Sequence, residues 1–434
     1  MAGHVLCLLL VSAIFAHADN SVPTIAKDFV FTFFNAYLNF ADKPGILLMA
    51  LVSNNNNGHA NVVVTSPFRS FTTIRVSVAP YSVLKIPIAP QSLQAQFPGY
   101  NITADGRFVV EDKGIRLQSD LPVAVYAHAE VYDGSSADSF LVIPAIHLGT
   151  QYVAVTSTYP LYPNMIAVVA YQDNTRVTIG NQTVTINALQ VASVASWTFL
   201  SGTVISGNKP FAAISGCTCG DVNIANCNYE AVMLLPVVGW GTQFVAIPFV
   251  YLTTNWYQVV ANTNNAVVSA DSTTIATLNA GEYRKFQIGA ALVTSNHPVQ
   301  LIQIGQSVWD GHNFISGPFF LQLPSTDKMS SSSVLFQPTG FIENTSVGHF
   351  SYFLRIVTNL AGAGTIQLDG TAIGALQFKH LPLSNFYYYE LTTSNTTHRL
   401  TTNNPATHYF LISYTYGDVE GCGFVGAFDL PSTK

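Results

Sequence analysis

The sequence predicts an all-β protein of tandem β-sandwich-like repeats of about 90 residues, with a β-propeller-like arrangement as the alternative. Three observations predict this. Short runs rich in β-branched residues fill the 434-residue chain, helical periodicity is nearly absent, and a six-residue phrase occurs four times at near-regular spacing.

The strand signals appear in order. Residues 61–65, 73–78, 175–179 and 183–186 are short β-branched runs bounded by Asn, Gly, Asp, Ser or Pro. Gly180-Asn181-Gln182 joins the last two as a hairpin, because Gly and Asn tolerate positive φ. The repeated phrase is an aliphatic residue, two small or polar residues, Asp or Asn, any residue, and Pro. It reads Leu117-Gln118-Ser119-Asp120-Leu121-Pro122 and returns at 205–210, 293–298 and 400–405, its prolines 88, 88 and 107 residues apart. Spacing of that size marks duplicated units. Pro144, Pro236, Pro324 and Pro431 close the units in the same order. The units are therefore drawn at 19–158, 159–250, 251–340 and 341–434, after a leader at 1–18. Pro cannot donate to a ladder, so it is expected in the turn or first residue before a strand such as Val123-Ala124-Val125-Tyr126. Asp or Asn two residues earlier suits the same turn.

Composition narrows the function. Only 9% of residues are charged, 49% are apolar and the net charge is −6. Without basic clusters, phosphate neutralisation is lacking, which argues against nucleic acid as a partner. The apolar run Val5 to Phe15, followed by Ala16-His17-Ala18, reads as a secretory signal cut before Asp19. No later stretch is long and apolar enough to predict a transmembrane helix. The expected localisation is secreted and extracellular.

Export sets the reading of the cysteines. With Cys7 in the leader, Cys217, Cys219, Cys227 and Cys422 form an even set in an oxidising compartment. Cys219–Cys227 closing a short loop and Cys217 reaching Cys422 is one of three connectivities. Cys217-Thr218-Cys219 and Cys227 lack the paired spacing or nearby His of a zinc site, so neither metal nor cofactor is expected. Asn101, Asn181, Asn344 and Asn395 head N-x-Ser/Thr sequons and are the expected glycosylation sites.

Catalytic motifs are absent, and the chain reads as a non-enzyme. His59, His128, His147 and His312 show no ligand spacing, and Ser307 lacks the closing Gly of a nucleophile elbow. Asp133, Asp138 and Asp310 are the carboxylates that an alternative reading, a secreted carbohydrate-active enzyme, would gather. A structural coat component is the third reading. Phe386-Tyr387-Tyr388-Tyr389 alternates across a strand, so exposed rings there suit sugars or a protein partner. Trp240 in Gly239-Trp240-Gly241-Thr242-Gln243-Phe244 reads as structural, because Gly149-Thr150-Gln151-Tyr152 repeats its surroundings without a Trp.

Several stretches together carry a family resemblance. They are residues 28–33, 113–117, 123–126, 136–141, 148–152 and 202–205, then Pro210, Ser215-Gly216, Cys219, Cys227, Leu235-Pro236 and 240–244. This pattern resembles the IgGFc-binding protein N-terminal domain family across nearly the whole chain. The resemblance implies an extracellular, mucus- or surface-associated binding protein whose partner is a protein or a glycan. Cys217 is an addition beside the family-like Cys219 and Cys227. No ligand-binding residue is assigned, and immunoglobulin binding is not carried over, because no residue matches a known Fc contact.

Overall fold

The computed structural model describes residues 21–37, 45–97, 102–132, 134–157, 159–160, 162–221, 227–309, 311, 314–342, 350–417 and 419–432. Strands and a few single 3-10 turns make up the described chain. The first unit defines the repeat. Its leading strand Ala26–Phe31 is followed by Ile46–Asn54, Ala60–Thr65, Ile74–Val78 and Ser82–Pro87, then the long strand Ile115–Val131 and the return strand Ala137–Leu141.

The long strand belongs to both sheets of its sandwich. Residues 115–119 pair with residues 28–31 and 62–65, whereas residues 124–131 pair with residues 46–53 and with Ala137–Leu141. Strands that change sheet at a bend form the corners of sandwiches. Burial follows the change: residues 115–119 alternate between inside and outside, and every residue from Val123 to Val131 is buried. This explains why the second half is the unbroken apolar run that the sequence displays.

The repeated phrase sits at that corner. Pro122 and Pro298 lie within the continuous strands Ile115–Val131 and Ala291–Ile304, while Pro210 and Pro405 separate two strands. The expected turn before a strand is thus found at Pro210 and Pro405, whereas at Pro122 and Pro298 it is corrected to a sheet-switching bend within the long strand, where Pro's missing N–H leaves no ladder bond unmade. The acidic or amide side chain caps the neighbouring strand across the corner. Asp120 Oδ1 accepts from the Asn61 N–H at 2.8 Å, Asn208 Oδ1 from Arg176 N–H at 2.8 Å, and Asn296 Oδ1 from Val267 N–H at 2.7 Å.

Each leading strand pairs with the unit that follows it. Gln151–Val153 joins the second unit, Gly241–Ala246 the third and Val334–Phe336 the fourth. Strand pairing therefore changes units just after the closing prolines, ahead of the divisions at 159, 251 and 341.

The units are not beads. The return strands Ala137–Leu141, Asn228–Met233, Phe320–Leu323 and Gly421–Gly426 pack in sequence around one axis, the fourth meeting the first again. Phe140, Val232, Phe320 and Phe424 fill the axis, leaving a cavity of about 20 Å³, room for little more than one water. The propeller-like and sandwich readings therefore combine: sandwich units take the places that blades occupy. Asp105–Glu111 of the first unit adds an edge strand beside Val191–Ser196 of the second. Ser21–Pro23 pairs with Asp429–Pro431, closing the ring. Buried His147 bridges this closure, its Nδ1 facing the Pro431 carbonyl at 3.0 Å and its Nε2 the Pro23 carbonyl at 3.2 Å.

Candidate binding site

The four units meet around Asn228 at the start of the second return strand, and buried polar groups lock them there. Asn228, fully buried on the second return strand, donates through Nδ2 to the carbonyls of Ala137, Pro318 and Gly421 at 2.8, 2.7 and 2.8 Å. Its Oδ1 accepts from Ala137 N–H at 2.8 Å, so one carboxamide touches all four units. Asp138 accepts from the N–H groups of Ser139, Ala231 and Phe320. Burial nonetheless pushes its carboxyl well above the usual carboxylate range.

A second buried relay joins a serine, a histidine and a glutamate. Ser139 Oγ lies 2.8 Å from His128 Nδ1, and His128 Nε2 lies 2.8 Å from Glu130 Oε2. All three side chains are fully buried. Ser139 Oγ also donates to Thr339 Oγ1 at 2.8 Å, and Glu130 accepts from the Phe341 and Ile342 N–H groups. The relay straps the first unit to the segment leading into the fourth, and Ser139 lines the axial cavity of about 20 Å³.

Open space lies where the first and second units meet. Asn35, Tyr37, Ile102, Tyr162, Pro163, Trp197 and Thr218 line a pocket of about 220 Å³. Backbone bonds set the walls: Tyr37 N–H donates to the Thr218 carbonyl at 2.9 Å, and Thr218 N–H to the Pro163 carbonyl at 3.0 Å. Tyr37 and Tyr162 stack with ring centroids 3.3 Å apart. Burial, then the Tyr162 hydroxyl, pushes the Tyr37 phenol up to about 12, so it is neutral at physiological pH. Trp197 is 56% exposed at the rim. Asn35 Oδ1 and Thr218 Oγ1 are buried without a hydrogen-bond partner among the described residues.

The cysteine hairpin backs this pocket. Cys219 and Cys227 form a disulfide, bridging the strands Phe211–Asp221 and Asn228–Met233 at their tips. The expected Cys217–Cys422 bond is not formed, which corrects that pairing. Cys217 faces its own sheet, its Sγ donating to the Tyr162 carbonyl at 3.1 Å, and Cys422 lies against Thr339 in the fourth unit. Burial, then the Glu230 carboxyl, pushes the Cys217 thiol up, so it is an inert thiol. Glu230 is itself fully buried beside Ser157, Asp221 and Lys285 of the third unit. Burial pushes its carboxyl up to about 8, against the pull of the Lys285 ammonium and the Ser157 hydroxyl.

Other sequence candidates are dispersed. Asn181 is exposed at its hairpin tip, whereas the Asn395 amide nitrogen donates to the Gly340 carbonyl and Tyr352 hydroxyl at 3.2 and 3.0 Å. Asn101, Asn344, Asp133, Asp310 and His312 lie outside the described residues. Ser307 Oγ has no hydrogen-bond partner among the described residues, and His59 is exposed beside Ser77. Trp240 is buried, its Nε1 donating to the Leu235 carbonyl at 3.2 Å. The rings of Phe386, Tyr387, Tyr388 and Tyr389 are half-buried in the fourth unit, and none of them lines the pocket. No described helix is long and apolar enough to cross a membrane.

A family model described as IgGFc binding protein matches residues 138–412, more than half of the chain. The chain belongs to the IgGFc-binding protein family. The human IgGFc-binding protein is 23% identical over 364 residues, which cover 77% of this chain and 6% of that protein. The chain thus spans about 6% of the length of that curated relative. The family match includes Asp138, Asn228, the disulfide, Trp197 and Thr218, whereas Asn35 and Tyr37 precede it. Sequence reading missed the pocket because its residues come from five separate segments. The one local signal was Trp197-Thr198-Phe199 after the strand Val191–Ser196, where the third unit has only Gly289-Ala290 after Tyr283–Ile288.

Proposed function

We propose that the chain is a secreted, glycosylated, non-catalytic binding protein that engages an extracellular partner at the junction of its first two units. Family membership supports a binding protein, and the leader sequence and sequons support export. The observation that carries the proposal is the pocket at the junction of the first two units, with an exposed Trp197 and two buried oxygens that have no partner among the described residues. The full burial of the Ser139–His128–Glu130 relay supports a structural role for these residues. The name of the human relative makes the Fc region of IgG one partner to test and does not by itself assign it here.

Expression in secretory cells tests the proposal in two stages. The medium is expected to contain a glycosylated chain beginning at Asp19. Immobilised, that chain is expected to retain a defined glycoprotein from epithelial secretions or purified IgG Fc, with retention lost in Trp197→Ala. A chain kept inside the cell, or retention indifferent to this variant, contradicts the proposal.

A further inference from the structure

We infer that the pocket between Tyr37, Tyr162 and Trp197 holds one neutral pyranose ring of a glycan. The inference rests on the proposed binding role and names the chemistry of its site. Four features of the pocket select that chemistry.

The floor is polar and unsatisfied. Asn35 is 4% exposed and Thr218 1% exposed, and neither Asn35 Oδ1 nor Thr218 Oγ1 has a partner among the described residues. A buried oxygen left in that state costs about 1–3 kcal/mol, so an occupant whose hydroxyl or amide donors draw either side chain toward the pocket gains a hydrogen bond that the empty pocket lacks. A purely apolar ligand would leave both oxygens unpaired.

The walls and rim are aromatic. Tyr37 and Tyr162 stack beside the floor, and Trp197 presents its ring at the mouth. A pyranose combines an apolar C–H face for such rings with equatorial hydroxyls for the floor. No Lys, Arg or His lines the pocket among the described residues. Sulfated, phosphorylated or sialylated sugars would therefore lack a counter-charge. Its volume, about 220 Å³, falls below the roughly 300–1,000 Å³ of drug-sized sites and suits a single ring.

Two sources offer this chemistry. One is a glycan on a partner. The other is the chain's own glycan at Asn101, the sequon residue next to the pocket-lining Ile102.

Isothermal calorimetry on the secreted chain tests the inference with methyl glycosides of galactose, glucose and N-acetylglucosamine, and with 6-sulfated counterparts. At least one neutral glycoside is expected to bind saturably and more tightly than its sulfated form. Binding should weaken ten-fold or more in Trp197→Ala and Thr218→Val, with unfolding midpoints close to the parent's. If the Asn101 glycan fills the pocket, binding appears only in Asn101→Gln. If a partner's glycan is the ligand, the parent and Asn101→Gln bind alike. No binding to either protein, or binding indifferent to both pocket variants, overturns the inference. A chain that retains its partner through Trp197 but binds no glycoside would lose this inference alone.

Discussion

Asn228 donates to the Gly421 carbonyl at 2.8 Å across 193 residues of sequence, tying the second unit of the ring to the fourth. The same carboxamide reaches Ala137 of the first unit and Pro318 of the third. Asn228→Ala removes the group and leaves an N–H and three carbonyls buried without it. Each unmade bond of this kind costs about 1–3 kcal/mol, so a total loss of about 3 kcal/mol or more is expected in urea unfolding. A midpoint within error of the parent would remove Asn228 from its place as the ring's fastener.

Stability should fall as pH rises from about 4.5 to about 8, the window set by the raised Glu230 carboxyl. In that window the unfolded chain has released the proton that folded Glu230 keeps, so raising the pH favours unfolding. The buried Asp138, shifted in the same direction, adds to the slope. Glu230→Gln keeps the shape without the charge. It should flatten the profile and stabilise the protein at pH 8 by an amount on the order of a few kcal/mol. Unfolding titrations across this range check it, and an unchanged slope in the variant would count against a protonated Glu230.

The disulfide should stabilise through its short loop. Cys219 and Cys227 are 8 residues apart, and closure of so small a loop contributes about 2–3 kcal/mol in the chain-entropy description. Cys219→Ser should lower the thermal midpoint accordingly and weaken pocket binding, because Thr218 precedes the bridge. Cys217 and Cys422 should react with an alkylating reagent only after unfolding, without reduction. Peptide mapping that recovers a Cys217–Cys422 link would refute the assignment of both as thiols.

The corner phrase makes a graded prediction. Asn208→Ala and Asn296→Ala should each cost about 0.5–1.5 kcal/mol through the lost bond to the neighbouring strand. Asn403, which has no such bond among the described residues, should tolerate Ala with a much smaller loss. Parallel urea unfolding of the three variants ranks them, and equal losses would mean that the phrase acts through its proline alone.

These contrasts mark what the sequence made legible. The Asp/Asn-x-Pro phrase exposed the repeat because one corner must be rebuilt in every unit, and the apolar run after each proline exposed the doubly buried half of the long strand. The disulfide between Cys219 and Cys227 was legible because its loop is local. Ring closure was not: His147, Pro23 and Pro431 carry no shared pattern, and Asn228 resembles any turn asparagine until its partners are placed. The pocket stayed hidden for the same reason, since Asn35, Tyr162, Trp197 and Thr218 meet only through strand register. The Cys217–Cys422 pairing failed because Cys217 lies on the strand Phe211–Asp221 of the second unit and Cys422 on the return strand Gly421–Gly426 of the fourth, so the two are not equivalent positions.

The central claim is that four sandwiches close into one body that presents the binding site. Thermal unfolding of the secreted chain, followed together by calorimetry, far-ultraviolet circular dichroism and tryptophan fluorescence, tests it most directly. The account predicts one transition with coincident probes, displaced as a whole to lower temperature by Asn228→Ala. Two or more separable transitions, or a displacement confined to one probe, would contradict it.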